Sequence, residues 1–322
     1  MSAVTTLLRA VVKKGGPFIG LILVIGIFSA PAETRGYFLT YHNFKIILTQ
    51  SVIVSIGALG MTLIIVSGAI DLSVGSVVAL TGVASALLIQ HGWGAAATTL
   101  AAVALGGLIG LMNGTAVAGL RMPSFIITLG MLGIARGAAK WLADNQTVSY
   151  DASPINGWMT TLNPSGRALP AGVWVAIGLA AFTSLLLKRT VFGRHIFALG
   201  SNEAAARLCG VPTVRLQVLV FALAGCFFGL SGLFQLSRLR LGDPTVAVGL
   251  ELDIIAAVII GGASLSGGSG TVLGSLIGAL IMAVLRNGSQ QMGWPNYFQE
   301  IIIGVVIIAA VFLDRFRRGG RA

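Results

Sequence analysis

The sequence predicts an all-α fold: a polytopic integral membrane bundle of about ten transmembrane helices, with both termini in the cytoplasm. Three observations lead there. Of 322 residues, 56% are hydrophobic and only 10% are charged, whereas a soluble domain carries roughly a quarter charged residues. Mean hydropathy is +0.93. Apolar stretches close to the ~20 residues that cross a bilayer recur along the whole chain. Together these exclude a soluble globular enzyme, a disordered chain and a disulfide-stapled secreted domain.

The stretches are bounded by polar residues or by Gly and Pro, and fall at 17–32, 46–66, 72–91, 95–119, 123–142, 171–187, 214–235, 251–264, 271–286 and 298–313. The eighth and ninth are short and interrupted by glycine. The first follows Arg9, Lys13 and Lys14 and ends in Ala30-Pro31-Ala32, the outline of a signal peptide. Its retention as a span is the expectation, and the other nine stand either way. The formal charge of +11 fits basic residues in cytoplasmic loops better than a nucleic-acid surface. With the N-terminus inside, thirteen of the 21 Lys and Arg residues fall on the inner side, including the whole stretch from Lys188 to Arg215. All nine Trp and Tyr residues then fall on the outer side. One transmembrane domain over 1–322 is expected, with a cytoplasmic tail 1–16, a cytoplasmic loop 188–213 and a cytoplasmic tail 314–322.

Forty-four glycines are too many for loops. Gly106, Gly110 and Gly114 form one ladder of four-residue spacing, Gly270, Gly274 and Gly278 a second, and Gly225 with Gly229 a third. Small residues so spaced let membrane helices approach closely, so tight packing is their expected role. Two other glycine clusters differ. Ser67–Ser76 (SGAIDLSVGS) joins the second and third stretches, and Gly261–Ser269 (GGASLSGGS) joins the eighth and ninth. With one gap they share small-Gly-Ala and then Leu-Ser-x-Gly-Ser, a weak internal repeat. Paired Gly-broken apolar segments point to a substrate path, because broken helices expose backbone to a cavity. Candidate path residues are Ser67, Gly68, Asp71, Ser73 and Gly75, with Gly261, Gly262, Ser266, Gly267 and Gly268 in the second copy. Asp71 is a helix cap, a substrate contact, or both. Arg136 and Lys140 either snorkel to the interface or line an access vestibule.

The inner loop holds Ser201–Leu208 (SNEAAARL), a capped run of helix formers that stops at Gly210-Val211-Pro212. A polar capped helix there has no bilayer role, and its apolar face is small for lying on headgroups. Docking into a partner protein fits better. No Gly-Lys-Ser/Thr occurs anywhere, so no phosphate loop is present. His42, His91 and His195 form no cluster with metal spacing, and Cys209 and Cys226 read as inert thiols. The chain is expected to be a conduit with no catalytic residue, metal or cofactor of its own.

Five ordered motifs carry a resemblance. They are Ser67–Ser76, Pro123–Leu129 (PSFIITL), Gly193–Gly210 (GRHIFALGSNEAAARLCG), Glu251–Gly262 (ELDIIAAVIIGG) and Leu265–Leu273 (LSGGSGTVL), within about residues 45–315. On these the chain resembles the permease subunits of bacterial ABC sugar importers, in the ribose-type branch. Ser67 departs from the family's usual glycine, a change that should be tolerated. The resemblance implies an inner-membrane subunit that moves a small sugar (a ribose-like pentose, a hexose or a related polyol). It implies three partners besides the lipid bilayer: a separate ATPase holding ATP and Mg, an extracytoplasmic sugar-binding protein, and a second permease copy, identical or related. It also implies a coupling helix seated in the ATPase, assigning that role to Ser201, Asn202, Glu203, Ala204, Ala205, Arg207 and Gly210. The rival is an autonomous ion-coupled transporter or channel, for which the candidate carboxylates are Asp71, Asp243, Glu251 and Asp253.

Overall fold

Helices form at all ten expected places in the computed structural model, which describes residues 3–159 and 168–319. In chain order they are α1 (Ala3–Ser29), α2 (Ala32–Phe38), α3 (Tyr41–Val66), α4 (Val74–Gln90), α5 (Ala95–Leu120) and α6 (Ser124–Leu142). There follow α7 (Ala171–Arg189), α8 (Val191–Ser201), α9 (Glu203–Leu208), α10 (Thr213–Leu239), α11 (Leu250–Ile260), α12 (Val272–Gln291) and α13 (Asn296–Gly319). Among the described residues there is no strand, only one antiparallel bridge between Val148 and Gly242.

Six helices are long and apolar enough to cross a membrane: α3, α5, α6, α7, α10 and α12. Shorter apolar stretches cover Gly15–Ser29, Val74–Gln90 and Tyr297–Ala309. Two expected spans are corrected. The third starts at Val74 rather than 72, and the eighth ends at Ile260 rather than 264. The second correction matters more, because the 11 residues of α11 reach only about 17 Å, roughly half of a ~30 Å hydrocarbon core. In both cases glycine-centred backbone breaks replace helix, so the chain has ten apolar segments but fewer full-length crossings.

A helix apolar all round belongs in a protein core or against lipid, and α3 takes the first place: every residue from Ser51 to Val66 is buried. It forms the axis of the bundle, with α7, α10, α11 and α12 packed around it. The faces of α5, α6 and α7 that point away carry exposed Leu100, Ile134 and Ile177, as a lipid-facing rim requires. Of the nine interfacial aromatics, Tyr37, Tyr41, Trp93, Trp141, Trp174 and Tyr297 are exposed. Trp158 and Trp294 instead pack on Phe234 and Phe28, at 5.9 Å between ring centroids in each case.

The glycine ladders are the contact surfaces. The first and third face each other: a Cβ on Gly106 would overlap the Gly225 carbonyl, one on Gly110 the Phe221 carbonyl, and one on Gly225 the Gly106 carbonyl. Antiparallel α5 and α10 therefore touch backbone to backbone. The second ladder does the same for α12 on α11, where Gly274 and Gly278 abut Gly261 and Ala257. Such contact supplies dispersion where no hydrophobic effect separates helix from lipid. At the end of the bundle where α6 finishes, Ser237 Oγ donates to the Ile155 carbonyl (2.6 Å) and accepts from the Met159 N–H (3.1 Å), tying the loop after α6 onto α10.

Gly225→Ala is expected to destabilise the protein by ~1–3 kcal/mol, the usual cost of overpacking, seen as a lower Tm in detergent. Gly130→Ala, with open space around its α-carbon, should leave the Tm unchanged.

Candidate functional site

The first break begins where α3 ends. Gly68 takes a left-handed φ of +87°, its N–H donates to the Ile65 carbonyl (3.0 Å), and the Ala69 N–H donates to that of Ile64 (3.1 Å). This is a Schellman stop, which needs a residue without a Cβ penalty. The chain then runs non-helically to Ser73, and its backbone donors find side-chain acceptors. The Ile70 N–H donates to Ser124 Oγ and the Leu72 N–H to Thr128 Oγ1, each at 3.0 Å. Ser124 and Thr128 lie one turn apart at the start of α6, so both face the break. Asp71, 1% exposed, accepts at Oδ1 from the Ser73 N–H (2.7 Å) and the Ser73 hydroxyl (2.6 Å). Its Oδ2 accepts from Asn113 Nδ2 on α5 (3.2 Å), which also donates to Ser73 Oγ (3.0 Å). The carboxylate is thus enclosed in a network spanning two helices.

Sequence reasoning did not single out Ser124, Thr128 or Asn113. Their signal is faint: two hydroxyls four apart in an apolar helix, and a lone amide in a glycine-rich one.

The second break repeats the first turn of this geometry. Gly262 has φ +91°, its N–H donates to the Ile259 carbonyl (2.8 Å), and the Ala263 N–H donates to that of Val258 (3.1 Å). The small-Gly-Ala half of the repeat is therefore one motif used twice. The Leu-Ser-x-Gly-Ser half is not. In the first copy Val74 and Gly75 already belong to α4. In the second, Gly267 and Gly268 have φ +81° and +70°, and helix resumes only at Val272, capped by Thr271 Oγ1 accepting from the Gly274 N–H (3.1 Å). Two consecutive left-handed residues cannot continue a right-handed helix.

The two breaks meet each other and the 188–213 segment at one point. The Gly268 N–H donates to the Val66 carbonyl (2.9 Å). A Cβ on Gly200 would overlap that same carbonyl, and one on Gly268 would crowd the Ser201 α-carbon. Gly68, Gly200 and Gly267 stack with no side chain between them. The loop 188–213 is more ordered than its sequence suggested. It holds two helices, and Ser201 is the last residue of α8, not a cap. Thr190 Oγ1 caps α8, accepting from the Gly193 N–H (3.1 Å), and fully buried Ile196 anchors it on the bundle. Asn202 caps α9, its Oδ1 accepting from the Ala205 N–H (2.9 Å). In α9 only Ala206 is buried; Glu203, Ala204, Ala205 and Arg207 are exposed, as is Gly210 beyond its end. Glu203 and Arg207 pair with each other at 2.8 Å, both more than half exposed, a geometry worth only ~0.3–0.5 kcal/mol. Leu208 stands 90% exposed.

Higher in the bundle, Arg136 does not snorkel. Its guanidinium donates to the carbonyls of Pro244 (2.8 Å) and Val246 (2.6 Å), pinning the loop that leads into α11. Asp243 accepts from the Thr245 N–H and hydroxyl, each at 2.7 Å. Asp253 pairs with Arg286 of α12.

A family described as the permease component of a branched-chain amino acid transport system matches residues 43–311. The chain belongs to this permease family. The ribose import permease protein RbsC of Escherichia coli strain K12 is 39% identical over 299 residues, 92% of each chain. RbsC of Bacillus subtilis strain 168 is 36% identical, over 95% of this chain and 94% of its own. The L-arabinose ABC transporter permease protein AraH of Azospirillum brasilense is 34% identical, over 94% and 88% respectively. No solved structure matches. The permease match takes in both breaks, α8, α9 and α11 and leaves out α1, so the junction lies inside the family's shared region. This is a multi-pass membrane protein that works as a transport subunit.

In this permease Thr128→Val keeps shape but strands the Leu72 N–H inside the bundle. An unmade buried hydrogen bond costs ~1–3 kcal/mol, so its Tm in detergent should fall. Thr128→Ser should retain most of the parental value.

Proposed function

We propose that this permease is the membrane subunit of an ATP-binding-cassette importer for a small sugar, a ribose-like pentose, a hexose or a related polyol. The ribose and arabinose names of its relatives support the sugar class over the amino acid in the family description, because those relatives align over nearly their whole length. ATP and Mg belong to a separate ATPase, a binding protein delivers the sugar from outside, and a second permease copy completes the channel. The chain forms one transmembrane domain whose loop 188–213 and tails 1–16 and 314–322 face the cytoplasm.

One observation supports the coupling role of α9: its base, Gly200–Ser201, lies against both backbone breaks. Force on α9 from an ATPase passes through backbone contact into the end of α3 and the approach to α12, without compressible side chains between. Exposed Leu208 is the anchor for the ATPase groove, and the Glu203–Arg207 pair stiffens the helix that presents it. Asn202 sets the start of that helix, Ala204 and Ala205 give it a smooth face, and Gly210 ends it. Ser67, Gly68, Asp71, Ser73 and Gly75, with Gly261, Gly262, Ser266, Gly267 and Gly268, form the walls and joints of the inner mouth.

The ion-coupled rival needs an intramembrane carboxylate free to take up a cation. Asp71, Asp243 and Asp253 are each engaged by protein donors, which leaves Glu251 as its one candidate among the four; uptake by this chain alone, driven by an ion gradient without ATP, would favour it.

Leu208→Asp should weaken ATPase association about tenfold or more, as loss of an interface anchor does, and abolish uptake in proteoliposomes of the full complex. Glu203→Ala with Arg207→Ala should give a smaller loss. Normal ATPase binding and uptake by Leu208→Asp overturns the assignment.

A further inference from the structure

A cavity of about 270 Å³ lies between α4, α6 and α11, and its polar lining comes from Ser76, Arg136, Lys140, Thr245 and Glu251. This is just under the ~300 Å³ at which small-molecule sites begin. It lies away from the junction: Ser76 is ten residues, about 15 Å, inward of Ala86, which packs beside Gly242 at the outer rim. That places it near the middle of a ~30 Å core.

Four features mark it as a built site. First, Ser76 is 1% exposed and its hydroxyl has no partner among the described residues. Other buried hydroxyls in α4 are satisfied by the carbonyl four residues back, as Thr81 by Val77 and Ser85 by Thr81. Ser76 has no such carbonyl, because α4 starts only at Val74. An unpaired buried hydroxyl costs ~1–3 kcal/mol, so its retention needs a reason. Second, the N-termini of α4 and α11 converge here, since a Cβ on Gly75 would overlap both the Ala247 carbonyl and the Glu251 carboxylate. Helix starts carry unpaired N–H groups and a partial positive charge. Third, Ala247 holds a left-handed φ of +62° in the loop that Arg136 pins, a strained conformation of the kind that collects at ligand sites. Fourth, Glu251 belongs to neither ion pair found among the described residues, Arg207–Glu203 and Arg286–Asp253.

We propose that this cavity is the transit site for the imported molecule, and that it holds a neutral polyhydroxyl compound of monosaccharide size through its hydroxyl groups. The inference rests on the sugar-import reading above. A sugar hydroxyl both donates and accepts, and the cavity supplies both: Glu251 accepts, Arg136 and Lys140 donate, and Ser76 and Thr245 do either. No aromatic ring lines it, so no stacking energy holds the sugar. Weak, hydroxyl-only contact suits a molecule that has to leave again.

The test uses the complete transporter, permease with ATPase and binding protein, in proteoliposomes loaded with ATP and given labelled D-ribose, L-arabinose and D-xylose. In Glu251→Gln, uptake of whichever sugar the parental complex takes up should fall about tenfold or more, the effect of one lost charged hydrogen bond. Binding-protein-stimulated ATP hydrolysis should stay within about twofold of parental. In a background of Cys209→Ser and Cys226→Ala, Val248→Cys places a thiol on the cavity lining, where the parent side chain is 78% exposed, and its own uptake before labelling is the reference. A hydrophilic maleimide on it should then block uptake but not hydrolysis.

Parental uptake by both Glu251→Gln and maleimide-labelled Val248→Cys overturns the proposal. Loss of hydrolysis together with uptake overturns it too, by assigning Glu251 to folding or coupling. Failure of the coupling reading would be seen separately, in Leu208→Asp. Failure of the sugar reading would be seen as no uptake by the parental complex of these three pentoses or of labelled D-glucose, D-galactose and ribitol.

Discussion

Between Ser67 and Ser73 the backbone leaves helical geometry inside an apolar bundle, and each N–H it exposes there has to find an acceptor within the protein. Much of the structure around the break follows from that requirement. Ser124 and Thr128 hold two of the donors, so α6 must start beside the break. Asp71 takes a third, and Asn113 of α5 supports the carboxylate. The Val66 carbonyl, released by the end of α3, is claimed by Gly268 of the second break. A local defect in one helix thereby ties together α3, α5, α6 and the segment before α12.

Glycine makes such a junction dense enough to work. Where α5 meets α10, and α11 meets α12, the helices touch through backbone, and the same absence of side chains lets the two breaks and the end of α8 stack at Gly68, Gly267 and Gly200. Backbone contacts are stiff, whereas the left-handed glycines at 68, 262, 267 and 268 mark where the chain changes direction. Rigid bodies joined at short glycine breaks are a suitable construction for a subunit that must move as pieces. The proposed transit cavity lies farther out, where the two shortened helices begin, so coupling and substrate contact occupy opposite ends of the same broken elements.

Much of this was legible in the sequence. Ten apolar segments, the packing role of the ladders, both breaks and the capped α9 follow from local rules: hydrophobic length, four-residue spacing, and left-handed glycine. Even the small-Gly-Ala half of the repeat proved to be one backbone motif used twice. Errors arose where two chain-local options were equally good. Ser201 and Asn202 can both cap a helix, and the choice fell to Asn202 because Ile196 and Leu199 hold α8 against the bundle, keeping Ser201 in its last turn. The Leu-Ser-x-Gly-Ser half diverged because Val74 can enter a helix and paired glycines at 267 and 268 need not.

The sequence by itself determined the membrane class, the approximate places of the apolar segments and the positions where helices stop. These depend on composition and on neighbours within a few residues. Only the tertiary structure decided who satisfies the broken backbone, that Arg136 holds a loop more than a hundred residues away instead of snorkelling, and that Ser76 meets Glu251 across a cavity. Those outcomes are partnerships between distant segments. In an interior without water each buried polar group must choose among the partners that packing brings within reach, and sequence spacing does not carry that information.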